Sequence, residues 1–182
     1  MRLSRLVLPL TILAALVVAP GVASGQEPAA GTAPAAAAQP RVKPSLRIIG
    51  AVTARRDLSL TDLRALPQQT QTVTYAASGT PVTATFTGPS LTDVLASAGL
   101  RTDPAVKNDS LRFAVLAIAS DGYQAVVSAG EVDPGFGGTQ SLVALTQDGT
   151  PLAQPRLTVP GDAKGGRYVS DLATLRVYDL GR

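Results

Sequence analysis

The sequence contains neither cysteine nor histidine. This double absence limits the chain more than any motif in it. No disulfide can staple the fold, and no zinc site of the usual type can nucleate it, so the domain must be held by its own apolar core. Thiolate nucleophiles, iron–sulfur clusters, lipid-modified cysteine anchors and the Ser-His-Asp triad are excluded with them. Any metal would have to be held by carboxylates and carbonyls, a donor set that suits Ca²⁺ or Mg²⁺. Hydrophobic residues make up 45% of 182 positions, enough for one domain core although much of it is alanine. Three Phe, four Tyr and no Trp leave little for base stacking, which argues against single-stranded nucleic acid.

Residues 1–25 read as a secretory signal peptide. Arg2 and Arg5 form a positive start, residues 6–19 are an apolar run broken only by Pro9 and Thr11, and Ala23, Ser24 and Gly25 suit cleavage. The run is short of the roughly 20 residues a membrane span needs. Its removal leaves 14 basic and 13 acidic residues, so the sequence pI of 9.6 marks no basic surface, and neither nucleic acid nor anionic membrane is expected as a partner. The two arginines are separated by Leu3 and Ser4, which is not a twin-arginine signal. The expected route is export as an unfolded chain, to the periplasm or beyond, without a cofactor loaded beforehand. Residues 26–44, rich in Ala, Pro, Gly and Gln, read as a disordered tether.

The remaining stretch, 45–182, is punctuated into short elements. Strands are expected at 46–53, 71–76, 82–87, 123–127, 141–146, 156–159 and 173–178. The apolar run 111–119 reads as a central strand covered on both faces. Residues 59–66 read as a helix capped by Ser59, with Asp62 at N3 and Pro67 as its stop. Residues 88–99 read as the clearest helix. Ser90 and Asp93 form its capping pair, Leu91, Val94, Leu95 and Ala98 its buried face, and Gly99 its end. Turns are expected at 78–81, Asp121-Gly122 and Asp148-Gly149, and open glycine-rich loops at 133–138 and 160–166. Residues 168–172 are ambiguous. The glycine loops lack the strand–loop–helix setting of a nucleotide fingerprint. Together these elements define an α+β class with mixed sheets and a few short helices.

Five segments in order carry a resemblance: LRIIGAV at 46–52, LSLTDL at 58–63, FTGPSLTDVL at 86–95, SDGYQAV at 120–126 with Glu131, and RLTVPGDAKGGRYV at 156–169. They resemble the sulfite-oxidase-like molybdopterin-binding domain. The resemblance implies a mixed α+β fold that holds a molybdenum–pyranopterin cofactor, molybdopterin for short, and supports oxygen-atom transfer on small oxo-acids and sulfoxides. It also implies a cysteine thiolate on the metal, just after the strand corresponding to 72–75. This sequence has Ala76, Ala77 and Ser78 there. Ser78 is an oxygen donor that is hard to ionise. The missing thiolate and the missing twin-arginine pair both argue against a molybdenum centre, so the first expectation is a non-catalytic, stand-alone member with no cofactor. Two alternatives stay open: a molybdopterin oxidoreductase with an unusual metal ligand, and an envelope module whose groove is vestigial.

Arg156, Lys164 and Arg167 lie in or beside the segment that resembles the family's cofactor-facing loop. Cations beside Gly161, Gly165 and Gly166 suit an anionic group, because backbone N–H groups approach closely at glycine and Arg grips oxyanions bidentately. Tyr123 offers a phenol at the same groove, or packs at the sheet rim. The alternative for the three cations is an ordinary solvated basic loop. Glu131 and Asp133 beside Gly135, Gly137 and Gly138 are too few carboxylates for Ca²⁺. The expected partner is a small anionic ligand or an envelope protein.

Overall fold

The computed structural model describes residues 45–181. The expected signal peptide and tether lie outside the described residues. Nine strands run in chain order: β1 (Leu46–Gly50), β2 (Arg56–Leu58), β3 (Gln68–Ala77), β4 (Thr80–Pro89), β5 (Phe113–Ala119), β6 (Gln124–Ser128), β7 (Leu142–Gln147), β8 (Thr150–Thr158) and β9 (Leu172–Asp179). The helices are α1 (Leu60–Ala65), α2 (Leu91–Ala98) and α3 (Ala129–Val132), with 3-10 turns at Asp109–Arg112 and Gly165–Arg167. Among the described residues no helix is long and apolar enough to cross a membrane.

The strands form two sheets. One has the order β2-β1-β9-β5-β6, and the parallel pair β1–β9 makes it mixed. The other, β3-β4-β7-β8, is antiparallel throughout. The main core lies among the five-stranded sheet, the helices and one face of the second sheet. It includes Leu46, Ile48, Leu63, Leu91, Phe113, Val143, Leu157 and Leu175. A smaller cluster of Val73, Tyr75, Ala84, Phe86, Ala144 and Tyr168 covers the opposite face of the second sheet. Burial of these large side chains contributes about 1.5–3 kcal/mol each, the principal stabilisation available to a chain without cross-links.

Both helix starts follow from the sequence. At α1 the Ser59 hydroxyl accepts from the Asp62 N–H at 3.2 Å, and the Asp62 carboxylate accepts from the Ser59 N–H at 2.8 Å. Asp62 accordingly holds its carboxyl below the ordinary carboxylate value, chiefly through the Ser59 hydroxyl. At α2 the Ser90 hydroxyl accepts from the Asp93 N–H at 2.9 Å and donates to the Asp93 carboxylate at 2.7 Å. Gly99 ends α2 at φ +67°, a conformation that favours glycine.

The strands depart from expectation in informative ways. The run 111–119 begins as a strand only at Phe113, because Leu111 sits in the 3-10 turn and is exposed. β5 is also buried on alternate residues, so it is not covered on both faces. The strand buried on both faces is β7, whose Val143 and Leu145 enter the main core while Ala144 enters the second cluster. β8 is longer than expected because Pro151 and Pro155 are tolerated at a sheet edge, where a missing N–H breaks no ladder. The short β2, with Arg56 and Asp57, carries no alternation that would reveal it. Ser78 and Gly79 alone turn the β3–β4 hairpin, at φ +50° and +85°, with Ala77 opposite Thr80.

Candidate functional site

The loop between β8 and β9 folds back over the end of the β3–β4 hairpin. The Ala76 N–H donates to the Ala163 carbonyl at 2.9 Å, and Ala76 and Lys164 pair as a parallel bridge. Between loop and hairpin lies an open groove of about 510 Å³. Tyr75, Ala76, Ala77, Ser78 and Gly79 line it from the hairpin, Arg156 from β8, and Lys164, Gly165 and Gly166 from the loop. This volume is within the usual range of small-molecule sites, ~300–1,000 Å³.

A buried aromatic cluster backs the groove at Tyr75. Tyr75 and Tyr168 stack with ring centroids 4.3 Å apart, and Phe86 tilts against Tyr168 at 6.2 Å. A β carbon at Gly165 would come within 2.8 Å of the Tyr75 ring, so only glycine lets the loop approach this closely. The Tyr168 hydroxyl is buried without a hydrogen-bond partner among the described residues. Its pKa is pushed up to about 12, first by burial and then by the negative charge of Asp162, against an opposing pull from Arg156.

Two of the expected cations face this groove. The Arg156 guanidinium donates to the Gln147 side-chain carbonyl at 3.1 Å and lies 5.5 Å from the Phe86 ring centroid, while its Nε is buried without a partner. Among the described residues neither Arg156 nor Lys164 has a carboxylate partner. Among the described residues these two cations form no ion pair, and the buried Arg156 Nε is a donor without an acceptor.

Arg167 is placed differently from the expectation. Its guanidinium grips Asp162 bidentately at 2.6 and 2.9 Å and reaches both Glu131 oxygens at 3.0 and 3.1 Å. These carboxylates raise its pKa further above an already high value, with Asp162 the largest cause. Two carboxylates already engage it on both sides of the fork, and it is not among the residues lining the groove. Its position ties the loop to α3. Tyr123 is likewise structural in placement: half-exposed, it donates from its hydroxyl to the Gly166 carbonyl and holds the opposite side of the loop. Ser78 lines the groove, but as an exposed hairpin-turn residue. Asp133 accepts from the Gly135 N–H at 2.8 Å. Among the described residues no three potential metal-ligating groups gather.

The sequence reading missed Tyr75, Tyr168, Phe86 and Gln147. Tyr75 and Phe86 carry the strand alternation that buries them, but nothing local announces that a loop tyrosine will stack on Tyr75.

Mixed sheets with a few short helices are consistent with the sulfite-oxidase-like molybdopterin-binding fold. The family model described as "oxidoreductase molybdopterin binding domain" matches residues 35–163, and the chain belongs to that family. The match begins inside the stretch read as a tether and stops one residue before Lys164. Among solved structures, the crystal structure of the sulfane dehydrogenase SoxCD from Paracoccus pantotrophus matches with a TM-score of 0.59 and 21% identity, over 74% of this chain and 38% of that one. This chain thus spans well under half of that protein. No curated protein matches the chain.

The family implies molybdopterin, and the donor chemistry fits it only in part. The unpaired Arg156 Nε, Lys164 and the glycine backbone of the loop suit an anionic group. At the metal position inferred from the resemblance stand Ala76 and Ala77, with no donor, and Ser78, with a hydroxyl on an exposed turn. The chain has no thiolate to offer anywhere. The residues do not fit the metal-bearing group.

Proposed function

We propose that this chain is an exported, non-catalytic binding domain whose groove holds a small anionic or pterin-like ligand. The observation that carries the reading is the combination at one groove: Arg156 and Lys164, two cations that form no ion pair among the described residues, beside a hairpin end that offers no anionic metal ligand. Export is supported by the signal-like residues 1–25, and mature protein in the periplasm or medium that starts near residue 26 is the expected form.

Thermal unfolding in the presence of inorganic phosphate, sulfate and a pterin phosphate tests the binding. A ligand that binds only the native state raises Tm with concentration. The expected result is a shift for at least one of these anions that disappears in the Arg156→Ala, Lys164→Ala double variant. No shift with any of them overturns the reading and favours a cell-envelope module with a vestigial groove.

Family membership itself favours a second reading, a molybdopterin oxidoreductase whose metal is held without a thiolate. It differs from the first in requiring molybdenum in the purified protein.

A further inference from the structure

The four sheet edges are not alike. β8 carries Pro151 and Pro155, β2 is three residues long with Arg56 and Asp57, and β6 is five residues long. Prolines, charges and short length are the usual protections against edge-to-edge pairing. β3 has none of them. It is ten residues long, QQTQTVTYAA, without a charge, proline or glycine. Among the described residues only β4 pairs with it as a strand.

The register says which groups it presents. Ala77 and Thr80 flank a two-residue turn, and Ala76 sends its N–H outward to Ala163. Backbone direction alternates along a strand, so Thr74, Thr72 and Thr70 also point their N–H and C=O outward. Among the described residues these groups have no backbone partner. The hydroxyls of the same three threonines lie on one face and pair across β4: Thr70 with Thr87, Thr72 with Thr85 and Thr74 with Thr83, each at 2.8 Å.

We propose that β3 pairs antiparallel with β3 of a second copy, about a two-fold axis at Thr72, to form a continuous eight-stranded sheet. The edge is self-complementary in this register. Thr72 meets Thr72, Thr70 of each copy meets Thr74 of the other, and all are outward-pointing residues, as a hydrogen-bonded ladder requires. The interface repeats the Thr–Thr pairing that β3 already makes with β4, and it sets no like charges against each other. The pairing ends where Ala163 and Lys164 occupy the edge at Ala76. Gln69 of one copy then faces Tyr75 of the other, so the interface reaches the rim of the groove.

Size-exclusion chromatography with light scattering over a dilution series tests this. The wild-type chain is expected at twice its mass. Thr72→Pro removes an outward N–H and the hydroxyl bond to Thr85, and is expected to run at one chain mass with the wild-type circular dichroism spectrum. Thr72→Lys sets two lysines opposite each other at the axis and decides the matter if the proline variant fails to fold. A wild-type chain at single mass at every concentration overturns the proposal, and leaves the edge to an extended segment of another protein. Dimers that persist in folded Thr72→Lys also overturn it.

Discussion

The ring of Tyr75, at the end of β3, stacks on the ring of Tyr168, in the loop before β9, with 4.3 Å between centroids. This contact fastens the loop that carries Lys164 to the hairpin that carries Ser78. The groove exists because the two segments meet there while Gly165 leaves room for the ring.

Gly165→Ala tests that fit. An added methyl must push the Tyr75 ring aside, and overpacking of this kind costs about 1–3 kcal/mol. The expected outcome is a lower Tm together with a weakened anion-dependent shift, both read in the same thermal scans.

Tyr168 supplies a pH signature. Its folded pKa, about 12, lies above the ordinary 10 because burial disfavours the phenolate. Its contribution to stability is therefore fully present below pH 10 and is lost as pH rises through 12, by an amount up to about 2 kcal/mol. Tyr168→Phe removes a hydroxyl that has no partner, so it is expected to leave stability at pH 7 unchanged or slightly raised. Urea titrations from pH 8 to 12 are expected to show a smaller loss for the variant than for the wild type.

Lys164 and Arg167 are three residues apart and carry opposite expectations. Lys164→Ala removes an exposed cation and is expected to change stability by less than about 0.5 kcal/mol while reducing anion affinity. Arg167→Ala leaves Asp162 and Glu131 without their shared partner and is expected to cost about 1–3 kcal/mol. Paired denaturation and anion titrations separate the two. Equal destabilisation by both substitutions would contradict the assignment of Arg167 as the loop's anchor.

Ser90→Ala removes both bonds that tie the start of α2 to Asp93. It is expected to cost about 1 kcal/mol, measured by urea denaturation, without altering anion binding.

Much of the architecture is written locally. Ser59 and Ser90 announce helix starts that the structure forms, and the alternation of Val73, Tyr75, Ala84 and Phe86 marks the buried face of the hairpin. The extra length of β8 has no local signal, because proline ordinarily interrupts a strand and Pro151 and Pro155 are admitted only at a sheet edge. Burial of β7 on both faces follows from its neighbours, not from its own residues. At the groove, the glycines and lysine singled out in the sequence lie on the loop that lines it. Which cation stays unpaired depends on Glu131 and Asp162, and the meeting of Glu131 with Arg167 is a tertiary event with no local signal.

Molybdenum and pterin content, measured on protein purified from a host that makes molybdopterin, separates a groove that binds an anion without a molybdenum centre from one that holds the metal. The prediction is molybdenum far below one atom per chain. Molybdenum near one per chain, with a pterin fluorophore released on oxidation, would contradict it.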